Sequence, residues 1–217
     1  MLTNKSALLL GATGLTGSHL LEMLLNSNDY QSVTIYVRNP IGIHHPKLVE
    51  KIINYDDWQE AVQADDVFCC LGTTIKKAKT KAAFTKVDLE YPVKIAQLQY
   101  KAGSGKFLVV SAMGAAKDSI VFYSRIKGEM EYQLRQIGFG SLFIFRPSFI
   151  AGNRKENRTG ESIVIRLFKL LNPLLIGPFR KYKSVSAHAI AKAMLCKAQT
   201  EAGGIQVLLS DEIKKFA

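Results

Sequence analysis

The run Leu8-Leu9-Leu10-Gly11-Ala12-Thr13-Gly14-Leu15-Thr16-Gly17-Ser18-His19-Leu20-Leu21 leaves the chain few choices. An apolar stretch ends at a glycine, two more glycines follow at three-residue spacing, and a helical apolar pattern then begins. Glycine supplies the turn with backbone angles that other residues resist. The missing side chains let an anion such as a pyrophosphate approach the main chain, at the positive end of the helix dipole. The competing reading is a glycine turn with no ligand. A strand before the turn and a helix after it are what the phosphate-binding mechanism requires, and Ala12, Thr13, Leu15 and Thr16 then share the turn with the three glycines.

Apolar, β-branched runs alternate with helical patterns along nearly the whole chain. The spacing predicts strands over 7–10, 33–37, 48–54, 67–71, 107–111, 142–146 and 205–209. Helical patterns fall over 16–26, 58–63, 82–101, 123–137 and 185–197. Such alternation predicts an α/β fold, a doubly wound parallel sheet covered by helices on both faces. Pro92 interrupts the 82–101 pattern, so Asp88 is a candidate cap for a second helix with the proline in its first turn. Residues 152–184 break the rhythm, with Pro173 and Pro178 and an apolar-basic stretch over 163–176. They are read as a substrate-side insertion or as an ordinary amphipathic helix. No linker or repeat divides the 217 residues, which suit one domain with a small C-terminal substrate region.

The net charge of +11 admits nucleic acid, an anionic membrane surface or acidic ligands as partners. The basic residues are scattered, apart from Lys76, Lys77, Lys79 and Lys81, and no nucleic-acid motif accompanies them, so no nucleic-acid role is expected. No run approaches a membrane span, and the first strand begins too early to leave room for a signal peptide. Cys69, Cys70 and Cys196 form neither a disulfide framework nor a metal-ligand spacing. The expectation is a cytoplasmic protein with reduced thiols and no metal.

Several strand ends carry chemistry. After the second strand, Arg38 offers a charged fork to a ribose 2′-phosphate, where a carboxylate would accept from a free 2′-OH. Arg38 and its neighbour Asn39 therefore favour NADP over NAD, the alternative being a plain surface arginine. Tyr55 and Asp56 follow the third strand near the adenine edge, and Asp56 reads equally as an acceptor for the exocyclic amine or as a helix cap. Leu71, Gly72 and Thr73 follow the fourth strand, where glycine brings bare backbone close to a ligand. The two adjacent cysteines read as core packing. The fifth strand ends at Ser111, and Tyr123 and Lys127 stand four apart on the next helix, projecting from one face. An ammonium beside a phenol lowers the phenol's pKa and also reaches a ribose. The phenol then serves as acid toward a carbonyl or base toward an alcohol while a hydride moves. Ser111 holds the substrate oxygen, and Pro147 turns the chain out of the sixth strand against the nicotinamide face.

Together, Gly11-x-x-Gly14-x-x-Gly17, Ser111, Tyr123-x-x-x-Lys127 and Arg146-Pro147 resemble the atypical short-chain dehydrogenase/reductases. Cys69-Cys70-Leu71-Gly72-Thr73-Thr74, Val87-Asp88 and Lys127-Gly128-Glu129 narrow the likeness to the Tat-interacting oxidoreductase subgroup and its bacterial relatives. The resemblance runs from the first strand to about Leu209. It implies a Rossmann domain that binds NADP, with Ser111, Tyr123 and Lys127 at the reacting centre and a small carbonyl or alcohol as substrate. Asp88 stands where many such reductases have an asparagine that supports a proton-relay water. Regulatory roles through protein partners are also linked to this subgroup, so the alternative is a cofactor-binding regulator that docks a partner. A nucleotide-sugar epimerase is disfavoured by the small C-terminal region.

Overall fold

A computed structural model describes residues 4–151 and 184–217. The first strand, β1 (Lys5–Leu10), leads through the glycine turn into α1 (Leu15–Asn26) and then β2 (Tyr30–Val37), β3 (Leu48–Ile52) and β4 (Asp66–Cys69). Two short helices, α2 (Ile75–Ala78) and α3 (Lys81–Thr85), precede a π turn (Lys86–Glu90) and α4 (Tyr91–Lys101). Next come β5 (Lys106–Val110), α5 (Phe122–Ile137), β6 (Ser141–Arg146) and β7 (Ile150–Ala151). The second described stretch holds β8 (Val185–Ser186), α6 (Ala187–Ala198), β9 (Gly204–Leu209) and α7 (Ser210–Ile213).

Seven strands form one sheet in the order β3-β2-β1-β4-β5-β6-β9, and every pairing is parallel. This is the doubly wound Rossmann arrangement expected from the strand–helix alternation. The chain reverses direction across the sheet between β1 and β4, and in such sheets the crevice beyond the carboxyl ends of those strands takes the ligand. A separate small sheet pairs β7 with β8. Apart from Ser184, the expected insertion over 152–184 lies outside the described residues.

Side-chain alternation explains the continuous apolar strands. Leu9, Phe68, Leu108 and Phe143 point to the face covered by Leu20 and Leu24 of α1 and by Ile190 and Met194 of α6. Leu8, Leu10, Val67 and Val109 point to the other face, covered by Val93 and Ala96 of α4 and by Met130 and Leu134 of α5. A strand buried on both faces has no polar side to show.

The helices depart from expectation in three places. No helix forms over 58–63. Six residues are too few to nucleate one without strong packing. The segment instead lays Trp58 edge-on to Tyr36 at 5.1 Å between ring centroids. The 82–101 pattern resolves into α3, the π turn and α4. Pro92 lacks the N–H that would close on residue 88, and just before it the Tyr91 N–H reaches back five residues to the Lys86 carbonyl. Asp88 therefore lies inside the π turn and caps no helix. Finally, α6 starts at Ala187, two residues later than expected, with the Ser186 side chain accepting from the Ala189 N–H.

The glycine turn is locked by close approach. Gly11 has φ +78°, and a Cβ there would stand 2.7 Å from the Cys70 carbonyl oxygen. A Cβ on Gly17 would stand 2.0 Å from the Gly11 oxygen, whereas one on Gly14 would meet that atom at 3.2 Å. Gly17→Ala therefore forces β1 and α1 apart, with an expected loss of about 1–3 kcal/mol, the scale of overpacking. For a chain of this size each kcal/mol lowers Tm by roughly 2–4 °C. Gly14→Ala should cost clearly less. Thermal denaturation of the two variants checks this, and equal losses would contradict the packing account.

Candidate active site

At the switch point the turn presents Thr13 and Gly14 to solvent, while Ala12, Thr16 and Gly17 are buried beneath them and Leu15 is half-buried. The first turn of α1 holds no acidic side chain, so its N–H groups face outward without an internal anion. Across the crevice, β4 runs out into Cys70, Leu71, Gly72 and Thr73. A Cβ on Gly72 would find nothing nearer than Asp88 Oδ1 at 3.5 Å and Lys127 Nζ at 3.9 Å. The protein's own packing leaves that backbone open to the crevice. A positive helix end on one side and bare backbone on the other fit a dinucleotide laid across the two strands.

At the end of β2, Arg38 and Asn39 are exposed, and among the described residues no carboxylate pairs with Arg38. Tyr55 is buried nearby. Its hydroxyl donates to the Tyr36 carbonyl at 2.9 Å and its ring stacks on Tyr91 at 5.2 Å. Burial raises its phenol pKa, against the pull of the Arg38 charge. The helix that Asp56 was a candidate to cap is absent. Asp56 Oδ1 accepts instead from Lys86 Nζ at 2.8 Å and Tyr91 Oη at 3.0 Å, which holds the carboxyl below its ordinary pKa.

The side chains that the sequence marks as candidates for chemistry lie on α5. Tyr123, Lys127 and Glu131 follow one another at four-residue steps and share one helix face. The helix sits close against the preceding loop, because a Cβ on Gly128 would stand 2.2 Å from the Ala116 carbonyl carbon. Lys127 Nζ lies 2.8 Å from Asp88 Oδ1, with both side chains almost wholly buried. Asp88 Oδ2 accepts from the Thr73 N–H at 2.8 Å, tying the π turn to the loop after β4. Burial opposes the lysine's charge, but Asp88 and the nearby Tyr123 outweigh it and raise the Lys127 pKa. The Tyr123 ring packs on Phe84 of α3 at 5.6 Å.

Ser111 follows β5 and is buried, its N–H bonded to the Phe145 carbonyl at 2.7 Å. Its hydroxyl donates to Glu131 Oε1 at 2.5 Å. The Glu131 carboxylate is gripped from β6 by Arg146, whose Nη2 donates at 2.6 Å and Nε at 2.9 Å. Pro147, next in the chain, is buried and its carbonyl accepts from the Met113 N–H. The structure thus gathers Ser111, Lys127 and the Tyr123 face of α5 around the ends of β4 and β5. Arg38, Asn39, Tyr55 and Asp56 stand on the other side of β1. Burial lifts the Cys69 thiol to about 12 and raises that of Cys70, and the two pack in and against the core, Cys69 buried and Cys70 half-buried. Glu131 and its pairing with Arg146 were not legible in the sequence. The available signal was a carboxylate on the helix face already assigned to Tyr123 and Lys127.

Comparison with known proteins agrees with this geometry. A model of the NAD(P)H-binding family matches residues 11–138. Rat Protein HTATIP2 is 32% identical over 216 residues, 96% of this chain and 87% of that protein. Protein FMP52, mitochondrial, of Candida albicans is 32% identical over 167 residues, 73% of each chain. These identities bear out the resemblance carried by the Cys69–Thr74 and Tyr123–Glu129 motifs. Among solved structures, a UDP-N-acetylglucosamine 4-epimerase from Methanobrevibacter ruminantium M1, in complex with UDP-N-acetylmuramic acid, is similar with a TM-score of 0.71. It is 16% identical, covering 95% of this chain and 77% of that one. The human epimerase family protein SDR39U1 with NADPH is similar with a TM-score of 0.62 at 18% identity, covering 94% and 74%. At such identities the likeness is one of fold.

The Asp88–Lys127 pair generates a stability prediction. Removing one partner of a buried pair leaves the other charge uncompensated, at a cost of about 3–5 kcal/mol. Asp88→Asn should lose that much in urea unfolding, and adding Lys127→Met should restore a large part of it. Because the folded lysine pKa is raised, the pair's contribution is fully present below the ordinary lysine value of ~10.4. It is lost only as pH climbs through the raised value. The wild-type pair should therefore contribute constantly from pH 6 to 9, whereas in Asp88→Asn burial acts on Lys127 without its partner and lowers its pKa. The gap between the two proteins should narrow as pH rises, and a gap that widens over that range speaks against the assignment.

Proposed function

We propose that this chain, which belongs to the NAD(P)H-binding family, is an NADP-dependent oxidoreductase of the short-chain dehydrogenase/reductase type acting on a small carbonyl or alcohol. The observation that carries the reading is the position of the Lys127 ammonium. It stands one helical turn from Tyr123 and beside the open backbone of Gly72, at the sheet's switch point. Gly11, Ala12, Thr13, Gly14, Leu15, Thr16 and Gly17 would hold the pyrophosphate of the dinucleotide. Arg38 and Asn39 would take the 2′-phosphate, with Tyr55 and Asp56 toward the adenine. Leu71, Gly72, Thr73 and Pro147 would border the nicotinamide ribose. When bound, the nicotinamide supplies hydride chemistry at the substrate carbon. The chain's own part is the proton: Tyr123 Oη gives one to the carbonyl oxygen in reduction and takes one from the alcohol in oxidation. Lys127 steadies the charge that develops on Tyr123, and Ser111 holds the reacting oxygen in line.

A second reading is favoured by one feature, the pairing of Lys127 with Asp88. An ammonium 2.8 Å from a carboxylate pulls less on a neighbouring phenol than a lone one would. In that reading the chain binds NADP(H) and docks a protein partner with little turnover. Tyr123→Phe separates the two. On the enzyme reading the variant loses NADPH oxidation across a panel of small carbonyls while its NADPH affinity in calorimetry stays within about fivefold, since a single net hydrogen bond carries only ~1 kcal/mol. Wild type that binds NADPH tightly and oxidises it with no member of the panel supports the regulator instead. The preference for NADP is tested by Arg38→Ala, which should weaken NADPH binding by about 1.5–3 kcal/mol, the range for a bond to a charged group. NADH binding should hardly change, and equal losses for the two cofactors would remove Arg38 from the 2′-phosphate.

A further inference from the structure

The segment after β4 and the turn before α5 carry features for which cofactor chemistry has no use. From Leu71 to Val87 the chain holds five lysines and no carboxylate. Lys86 is engaged by Asp56. Lys76, Lys79 and Lys81 are exposed, and among the described residues no carboxylate pairs with any of them. Lys79 stands at φ +67°, a backbone conformation that favours glycine, yet the position carries a charged side chain.

The turn over 116–121 supplies an apolar apex. Ile120 is 97% exposed and Val121 60% exposed. Single exposed aliphatic side chains are ordinary, but these two adjoin one another on a turn tied at three points. The Ser119 N–H donates to the Ala116 carbonyl at 3.1 Å and the Val121 N–H to Ser119 Oγ at 3.1 Å. Arg125 Nη1 donates to the Ser119 carbonyl at 3.0 Å. The turn is thus held with its aliphatic tips in water. Cations and apolar groups meet at Phe122, whose ring centre lies 5.4 Å from Lys81 Nζ and 5.9 Å from the Arg125 guanidinium. Phe84 of α3 packs on Phe122 at 5.7 Å and on Tyr123 at 5.6 Å, so the patch adjoins the candidate active site. The acidic side chain of this turn is Asp118, beside Lys117.

We propose that this face, Ile120 and Val121 flanked by Lys76, Lys79 and Lys81, docks the protein on an anionic membrane surface. Ammonium groups on flexible stems are drawn to a layer of acidic headgroups without demanding one fixed geometry. Aliphatic tips then enter the boundary between headgroups and acyl chains. A peptide or a nucleic acid suits the face less well. A side chain that lines a peptide groove is partly covered by the groove's walls, whereas Ile120 stands clear of the protein. A phosphate backbone gains nothing from an isoleucine. The attachment is peripheral, since no described helix is long and apolar enough to cross a membrane. The proposal goes beyond the oxidoreductase reading and does not depend on it.

Cosedimentation of the full chain with lipid vesicles tests the proposal and needs no substrate. Binding is expected to vesicles of mixed phosphatidylcholine and phosphatidylserine, and not to phosphatidylcholine alone. It should weaken as salt shortens the screening length from about 10 Å at 0.1 M to about 3 Å at 1 M. One lysine near an anionic surface contributes about fivefold, so the triple variant Lys76→Gln, Lys79→Gln, Lys81→Gln should lose on the order of a hundredfold. The whole chain is basic, so a second triple variant removes the same charge from exposed positions elsewhere: Lys101→Gln, Lys192→Gln, Lys215→Gln. That variant should lose clearly less. Ile120→Ser keeps every charge and should lose about tenfold, the low end for burying such a side chain. All the replaced side chains are exposed, and thermal denaturation checks that each variant folds as wild type does.

Equal losses in the two triple variants would reduce the effect to net charge and overturn the proposal. Unchanged binding by Ile120→Ser overturns it too, as does a wild type that ignores the mixed vesicles. A polyglutamate peptide that displaces the protein from vesicles, and whose own binding depends on Ile120, would assign the face to an acidic protein segment instead.

Discussion

Two opposite charges buried one helical turn apart on α5, Lys127 and Glu131, set conditions that much of the molecule meets. Each needs a partner brought from a different element. Asp88 comes from the π turn ahead of α4, and Arg146 comes from the end of β6. Replacing a buried pair with apolar side chains of similar volume is often neutral or stabilising. Stability alone therefore gives no reason to keep two such pairs behind one helix. What they do is hold three polar groups, Lys127 Nζ, Thr73 N and Ser111 Oγ, in fixed orientation at the ends of β4 and β5.

That arrangement depends on backbone features with no side chain of their own to show. The π turn inserts an extra residue into the helical path just before Pro92, and the wider turn carries Asp88 inward to the lysine. Gly128 lets the Ala116–Lys117 backbone press against α5, and that loop joins Ser111 to the helix. Gly17 performs the same service between β1 and α1. The π turn and these two close approaches of main chain thus fix the position of groups that lie several residues away.

The sheet was legible in the sequence because its central strands are buried on both faces and read as apolar runs. The seven strand positions and the glycine turn follow from that pattern, as does the α5 face that carries Tyr123 and Lys127. Other features follow from interactions that periodicity does not encode. Residues 58–63 have a helical spacing but pack Trp58 against Tyr36 without a helix. Asp88 read as a helix cap because a π turn is invisible to a count based on 3.6 residues per turn. Glu131 passed as an ordinary charged residue of an amphipathic helix. Only the fold brings Ser111 and Arg146, 20 residues before it and 15 after, to the same carboxylate.

The two carboxylates act on the site in opposite senses. Asp88 faces the lysine and reduces the net charge that the crevice sees from α5. Glu131 faces the serine and, being neutralised by Arg146, adds little net charge while still accepting the hydrogen bond of the Ser111 hydroxyl. One alters the field and the other alters hydrogen-bond direction. A Coulomb interaction spreads over several ångströms, whereas the direction of a hydrogen bond is all or none at a single oxygen. The field near Tyr123 can therefore be graded by small shifts of Asp88, while the Ser111 hydroxyl keeps its direction as long as the Glu131–Arg146 fork holds the carboxylate in place.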